Sequence, residues 1–253
     1  MNLLFYLVSR FFLLFYLPIH VSDIPVYGAH AMKLAKGGLW PYRDFSYEYP
    51  PLAYLLVFLP GLVHVLLDLA TLVQYRILFG LFVLPFDFAV FRRLEKFSLP
   101  GAGAFYVFLS SLLPFLLFDR IDVLIGFAVV MPFLGPKLDW RFSIYWAFGG
   151  AVKVVPYLLL PLRLLDFPVW SWRRAARLAV VPAVVLVLSV GSVAWLSGGG
   201  ISFFSHHSNR GVQVESVAGN LLLFAKVNGF FYGGEVVSNF GAQHLAGMEW
   251  LTR

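Results

Sequence analysis

Seven apolar runs, near residues 3–19, 51–67, 73–91, 101–118, 121–135, 142–165 and 178–196, constrain this chain more than any other feature. Each must be withdrawn from water, and with 60% hydrophobic and 13% charged residues the chain has little polar surface to wrap around them. The expected solution is a lipid bilayer. Cysteine is absent, which excludes disulfides, thiolate metal sites and thiol redox chemistry. The net charge of +6 sits on loop lysines and arginines, with no basic run in a soluble domain, so it argues for membrane topology and against nucleic acid as a partner. The first run lacks a small-residue cleavage site at Leu17-Pro18-Ile19-His20 and reads as a retained anchor.

Seven simple crossings put the basic loops 92–96 and 137–141 on the side opposite Arg173, Arg174 and Arg177, against the positive-inside bias. Two changes remove the conflict. The run 51–67, which opens with Pro50-Pro51 and carries Pro60-Gly61 and His64, lies at the interface or dips in and returns. The run 142–165 breaks into two short helices at Lys153-Val154-Val155-Pro156, as membrane helices do where freed backbone lines a polar cavity. Its halves fall short of the roughly 20 apolar residues of a span, so a single tilted helix stays open as an alternative. The same arrangement gathers Asp23, Asp44, Asp119, Arg120, Asp122, Lys153, His206, His207, Arg210 and Glu215 on one outward face. The expected fold is therefore an all-α polytopic membrane protein, a single membrane domain over 1–253. Residues 20–68 form its first extracytoplasmic loop with short interfacial helices, and 197–253 an extracytoplasmic C-terminal loop.

Against this apolar background the segment Ser22 to Pro51, SDIPVYGAHAMKLAKGGLWPYRDFSYEYPP, is dense in charge and aromatic rings. Ser22 or Asp23 can cap a helix beginning at Ile24-Pro25, and a carboxylate just past a membrane helix can equally serve chemistry. Gly37-Gly38 before Trp40-Pro41-Tyr42-Arg43-Asp44 reads as a turn, after which Phe45, Tyr47 and Tyr49 alternate with Ser46 and Glu48. Such rings form an interfacial belt in many membrane proteins. They also stack on sugar faces while carboxylates and Arg hold hydroxyls and phosphates.

These residues carry a resemblance. Asp23, Tyr27, Gly38-x-x-Pro41-Tyr42, Asp44-Phe45 and Tyr49-Pro50-Pro51-Leu52 stand as in glycosyltransferases of the GT-C superfamily, and most resemble the mannosyltransferase-like group of family 87. Two further blocks are similar: Arg120-x-Asp122 followed by Ala151-Val152-Lys153-Val154-Val155-Pro156, and Asn209-Arg210-Gly211-Val212-Gln213-Val214-Glu215-Ser216. The resemblance covers about residues 20–220. It implies a GT-C-like transmembrane bundle in the cell (plasma) membrane, multi-pass, with its active site on the extracytoplasmic face. It also implies inverting transfer of a hexose, mannose first, from a polyprenyl-phosphate sugar to a lipid-linked or glycan acceptor. By the same resemblance Asp23 is the catalytic base, which would take the proton of the acceptor hydroxyl. Arg120, Lys153 and Arg210 are the candidates to neutralise the departing phosphate. Tyr27, Tyr42, Arg43, Asp44, Tyr49, Asp122, Gln213 and Glu215 are the expected substrate contacts.

Bland readings stand beside these roles. Arg120 and Asp122 can form a plain surface ion pair or a helix cap. Lys153 can snorkel from a helix end. Asp87 reads as a satisfied structural acid, and Asp68 and Arg76 as interface markers beside a short turn. No cofactor is required by any motif. Asp23, Asp44 and Glu48 could bind a divalent cation, Mg or Mn, whereas adjacent His206 and His207 cannot readily share an ion. Proteins of the resembled group carry further helices after the Arg-Gly-x-Gln-x-Glu-Ser loop, so a fragment, a reduced member or a chain completed by a partner is expected. The competing functions are a secondary transporter binding an anionic solute and a non-catalytic membrane subunit.

Overall fold

The computed structural model describes residues 2–16, 23–134, 141–153, 155–164, 172–196, 198, 212–214, 216–230, 233–239 and 242–246. Helices α1 (Asn2–Tyr16), α2 (Ile24–Ala35), α3 (Pro51–Leu66), α4 (Leu72–Phe97), α5 (Ala102–Leu112) and α6 (Pro114–Phe118) lead into α7 (Asp122–Phe133), α8 (Arg141–Val152), α9 (Val155–Leu164) and α10 (Trp172–Leu196). After them come β1 (Val212–Gln213), α11 (Val217–Val227), β2 (Glu235–Asn239) and β3 (Ala242–Ala246).

The polytopic all-α bundle is corrected by this structure. Among the described residues only one helix, over Leu178–Leu196, is long and apolar enough to cross a membrane. The apolar runs at 3–19, 51–67, 101–118 and 121–135 become helices of 15, 16, 11 and 12 residues, with the five-residue α6 splitting the third, short of the roughly 20 that a span needs. One run is also divided from within. Leu113-Pro114 divides the fourth run into α5 and α6, because proline has no N–H to continue the ladder. The 26-residue α4 is long enough but carries Arg76, Asp87, Arg92, Arg93, Glu95 and Lys96. Nor is the chain all helix. The segment expected as a C-terminal loop contains an antiparallel sheet in the order β1-β3-β2, with Val212 opposite Leu245 and Val236 opposite the same residue.

The helices earn their places by ordinary signals. Buried residues Ile24, Tyr27, Gly28 and Ala31 repeat at helical spacing on α2, which packs on α3. Thr71 begins α4 with a capping box: its Oγ1 accepts from Gln74 N at 3.3 Å while Gln74 Oε1 accepts from Thr71 N at 2.9 Å. The expected interruption of run 142–165 is present, since α8 stops at Val152 and α9 starts at Val155. The core runs between α2, α3, α4, α6 and α7 through Ile24, Tyr27, Val57, Phe79, Phe118 and Leu124.

Two buried ion pairs cross this core. Asp87 accepts from Arg10 Nε at 2.8 Å and from Tyr6 Oη at 2.8 Å, so it is indeed satisfied. Arg76 does not mark an interface. It is 2% exposed and donates from Nε to Asp119 at 2.5 Å and from Nη1 to the Leu14 carbonyl at 3.1 Å, closing the C-terminal end of α1. Outward faces stay apolar: Leu4, Leu7, Phe11 and Phe12 on α1, and Val187, Leu188 and Trp195 on α10, are more than half exposed. Apolar surface on this scale belongs against something other than water.

Candidate functional site

Asp23 occupies the N-cap position of α2, yet its side chain makes no capping bond. Pro25 in the first turn removes one of the N–H groups that such a side chain would accept from. The carboxylate is turned to other partners: Tyr27 Oη donates to its Oδ2 at 3.4 Å, and Arg120 Nε lies 3.5 Å from the same oxygen. Asp23 thus does not cap the helix with its side chain, and Ser22, the other capping candidate, lies outside the described residues.

Arg120 reaches Asp23 from the short link between α6 and α7, where three charges in four residues take three different partners. Asp119 turns inward to Arg76, Arg120 to Asp23, and Asp122, in the first turn of α7, accepts from Lys153 Nζ at 3.1 Å. A surface pair between Arg120 and Asp122 is therefore not what forms. Asp122 also stands where a helix N-terminus favours a carboxylate. Lys153 is able to meet it because the chain leaves helical geometry there, and its ammonium lies 5.9 Å from the centre of the Tyr49 ring. Each of the four charged side chains is 23% to 37% exposed, a depth reachable by a ligand.

Tyrosines form one wall. Tyr27 and Tyr47 are 2% exposed, and Tyr47 Oη has no hydrogen-bond partner among the described residues. Tyr47 meets Tyr49 and Tyr54 edge-on at 5.8 and 5.1 Å. Tyr42 has a left-handed φ of 66°, a strained state for a tyrosine, fixed by its N–H donating to Phe45 O at 2.9 Å and its Oη donating to Tyr49 O at 2.5 Å. Burial pushes the Asp23 carboxyl above its ordinary acidity range; Arg120 and Tyr27 pull it back, and the nearby Glu48 and Asp122 push it further up. Burial likewise raises the Tyr27 and Tyr49 phenols, with Glu48 adding to the effect on Tyr49.

The structure brings together Asp23, Tyr27, Tyr49, Arg120, Asp122 and Lys153 among the residues singled out in the sequence. Tyr42 supports this group through Tyr49, and Tyr27 holds Asp23 from beneath rather than presenting a surface to a substrate. Arg43 and Asp44 are occupied locally. Arg43 Nη2 pairs with Asp44 at 2.9 Å, and Asp44 Oδ2 accepts from Trp40 N at 2.7 Å, which closes the turn. Gln213 lies exposed on β1, pairing with His244 of β3. Arg210 and Glu215, with His206 and His207, lie outside the described residues. Among the described residues no three carboxylates or histidines stand close enough to hold a metal ion, so Asp23, Asp44 and Glu48 do not form one three-carboxylate cluster. Sequence reasoning named Tyr47 only as one of the alternating rings before Pro50-Pro51, and passed over Tyr54, which follows them inside α3. A cleft of about 360 Å³ between α4, α5 and α7, lined by Leu94, Leu109, Leu113 and Gly126, ends at Asp122. Comparison with family models, with curated proteins and with solved structures found no match for this chain.

Proposed function

We propose that this chain is a membrane-attached glycosyltransferase that moves a hexose, mannose first, from a polyprenyl-phosphate sugar to an extracytoplasmic acceptor with inversion. The observation that carries the reading is a pair of part-exposed ion pairs beside a tyrosine: Asp23 with Arg120, and Asp122 with Lys153, whose ammonium lies 5.9 Å from the centre of the Tyr49 ring. In the reaction the acceptor oxygen forms the new bond to the anomeric carbon as the bond from that carbon to the phosphate oxygen breaks. The hydroxyl proton goes to Asp23 and the lipid phosphate leaves with its electron pair. A carboxylate whose proton affinity is raised by burial is the better base for this step. Arg120 and Lys153 supply positive charge where the phosphate gains negative charge, and Lys153 can exchange Asp122 for the departing anion. The apolar cleft that ends at Asp122 suits the chain of a lipid-linked donor.

The test is transfer of radiolabelled sugar from polyprenyl-phosphate donors to lipid acceptors in membranes that contain the full chain. Asp23→Asn and Asp23→Ala are expected to lower transfer by about 10²-fold or more at equal protein level. Transfer that survives Asp23→Asn would remove Asp23 as the base. A wild-type chain inactive with every donor would overturn the assignment.

A further inference from the structure

A second concave site lies apart from the charged cluster. Leu34, Trp40, Tyr42, Tyr54, Phe58 and Leu196 are among the residues around a cleft of about 510 Å³. The cleft surface is almost wholly carbon, so its occupant is apolar, and its volume is that of an ordinary small-molecule pocket. Its wall is held in advance: Tyr42 is pinned in its turn by two hydrogen bonds, and Tyr54 Oη donates to His30 O at 3.0 Å.

Position and charge narrow the occupant. Leu196 is the last residue of α10, the one described helix long and apolar enough to cross a bilayer, so the cleft opens where that helix would leave hydrocarbon. Trp40, 47% exposed at the cleft, is the residue type that gathers at this depth. Lys33 and Lys36 flank Leu34 and Ala35, the two α2 residues that line the cleft. The Lys33 ammonium is held 4.5 Å over the Phe45 ring, and Arg43, next to Tyr42, is 58% exposed. The acid nearest in sequence, Asp44, is already engaged by Arg43 and Trp40. Basic side chains at a bilayer surface favour anionic headgroups.

We infer that this cleft holds one acyl chain of an anionic bilayer phospholipid whose headgroup meets Lys33 and Lys36. The site depends on α10 lying in a membrane and not on sugar transfer, so either can fail without the other.

Tryptophan quenching tests it. The full chain is reconstituted in vesicles containing phosphatidylglycerol or phosphatidylcholine brominated in the acyl chains, and the Trp40 signal is the difference between wild type and Trp40→Phe. Brominated phosphatidylglycerol is expected to quench Trp40 at least twofold more than brominated phosphatidylcholine at equal mole fraction. Ala35→Phe, or Leu62→Phe if the first does not insert, fills the cleft and should abolish the excess; Lys33→Gln with Lys36→Gln should remove the preference while leaving quenching. Equal quenching by the two lipids would mean contact with bulk hydrocarbon only. Absence of quenching by both would mean that protein or solvent fills the cleft. Either result overturns the inference.

Discussion

Arg120 Nε lies 3.5 Å from Asp23 Oδ2, tying the link before α7 to the first turn of α2. Because Arg120 is the largest influence that lowers the Asp23 proton affinity against the burial that raises it, removing the guanidinium leaves only the Tyr27 hydrogen bond to oppose burial, Glu48 and Asp122. In Arg120→Gln the acid limb of the pH–rate profile of sugar transfer is expected to move to higher pH than in wild type. Lower activity with an unmoved limb would show that Arg120 acts on the substrate alone.

The pair of Arg76 and Asp119 makes a sharper stability test, since both side chains are at most 3% exposed. Arg76→Met strands a buried carboxylate and the Leu13 and Leu14 carbonyls, and should cost about 3–5 kcal/mol by denaturant titration. Adding Asp119→Leu should recover most of that loss. A double variant no better than the single one would mean that capping α1, rather than the ion pair, dominates.

Gly150 sits where a Cβ would overlap the Tyr157 ring, so the turn from α8 into α9 closes only over a bare backbone. Gly150→Ala is expected to destabilise by about 1–3 kcal/mol through overpacking. Pairing it with Tyr157→Leu should relieve most of that, although the Tyr157 bond to Pro182 O is lost as well. The same unfolding titration, run on both variants, decides it.

His30, stacked on Phe45 at 5.3 Å, is lowered from the ordinary 6.5 to about 4 by burial first and by Lys33 next, with Glu48 opposing. Between those values the unfolded chain binds more protons than the folded one, so stability falls as pH drops through that window. Wild type should lose roughly 1–3 kcal/mol between pH 7 and pH 4 from this group. His30→Phe should lose correspondingly less over the same range, measured by unfolding midpoints at the two pH values.

The sequence by itself determined where apolar helices begin and fail. The helix start at Ile24-Pro25, the interruption at Lys153 and the glycine turn at Gly38, whose φ is 64°, are local signals, and the backbone obeys them. It also marked Asp23, Arg120, Asp122 and Lys153 as candidates, beside the alternatives of a helix cap, a surface ion pair and a snorkelling lysine. Apolarity alone, however, says that a surface is buried and not what buries it. The runs become helices that pack on one another, one of them divided at Pro114, and among the described residues α10 alone has the length and composition of a span. Only the tertiary structure decided that Asp119 belongs to Arg76, Asp87 to Arg10, and Asp122 to Lys153 rather than to Arg120. Partners separated by tens of residues leave no periodic trace, because the choice among them is made by helix packing and by the cost of leaving any one charge buried alone.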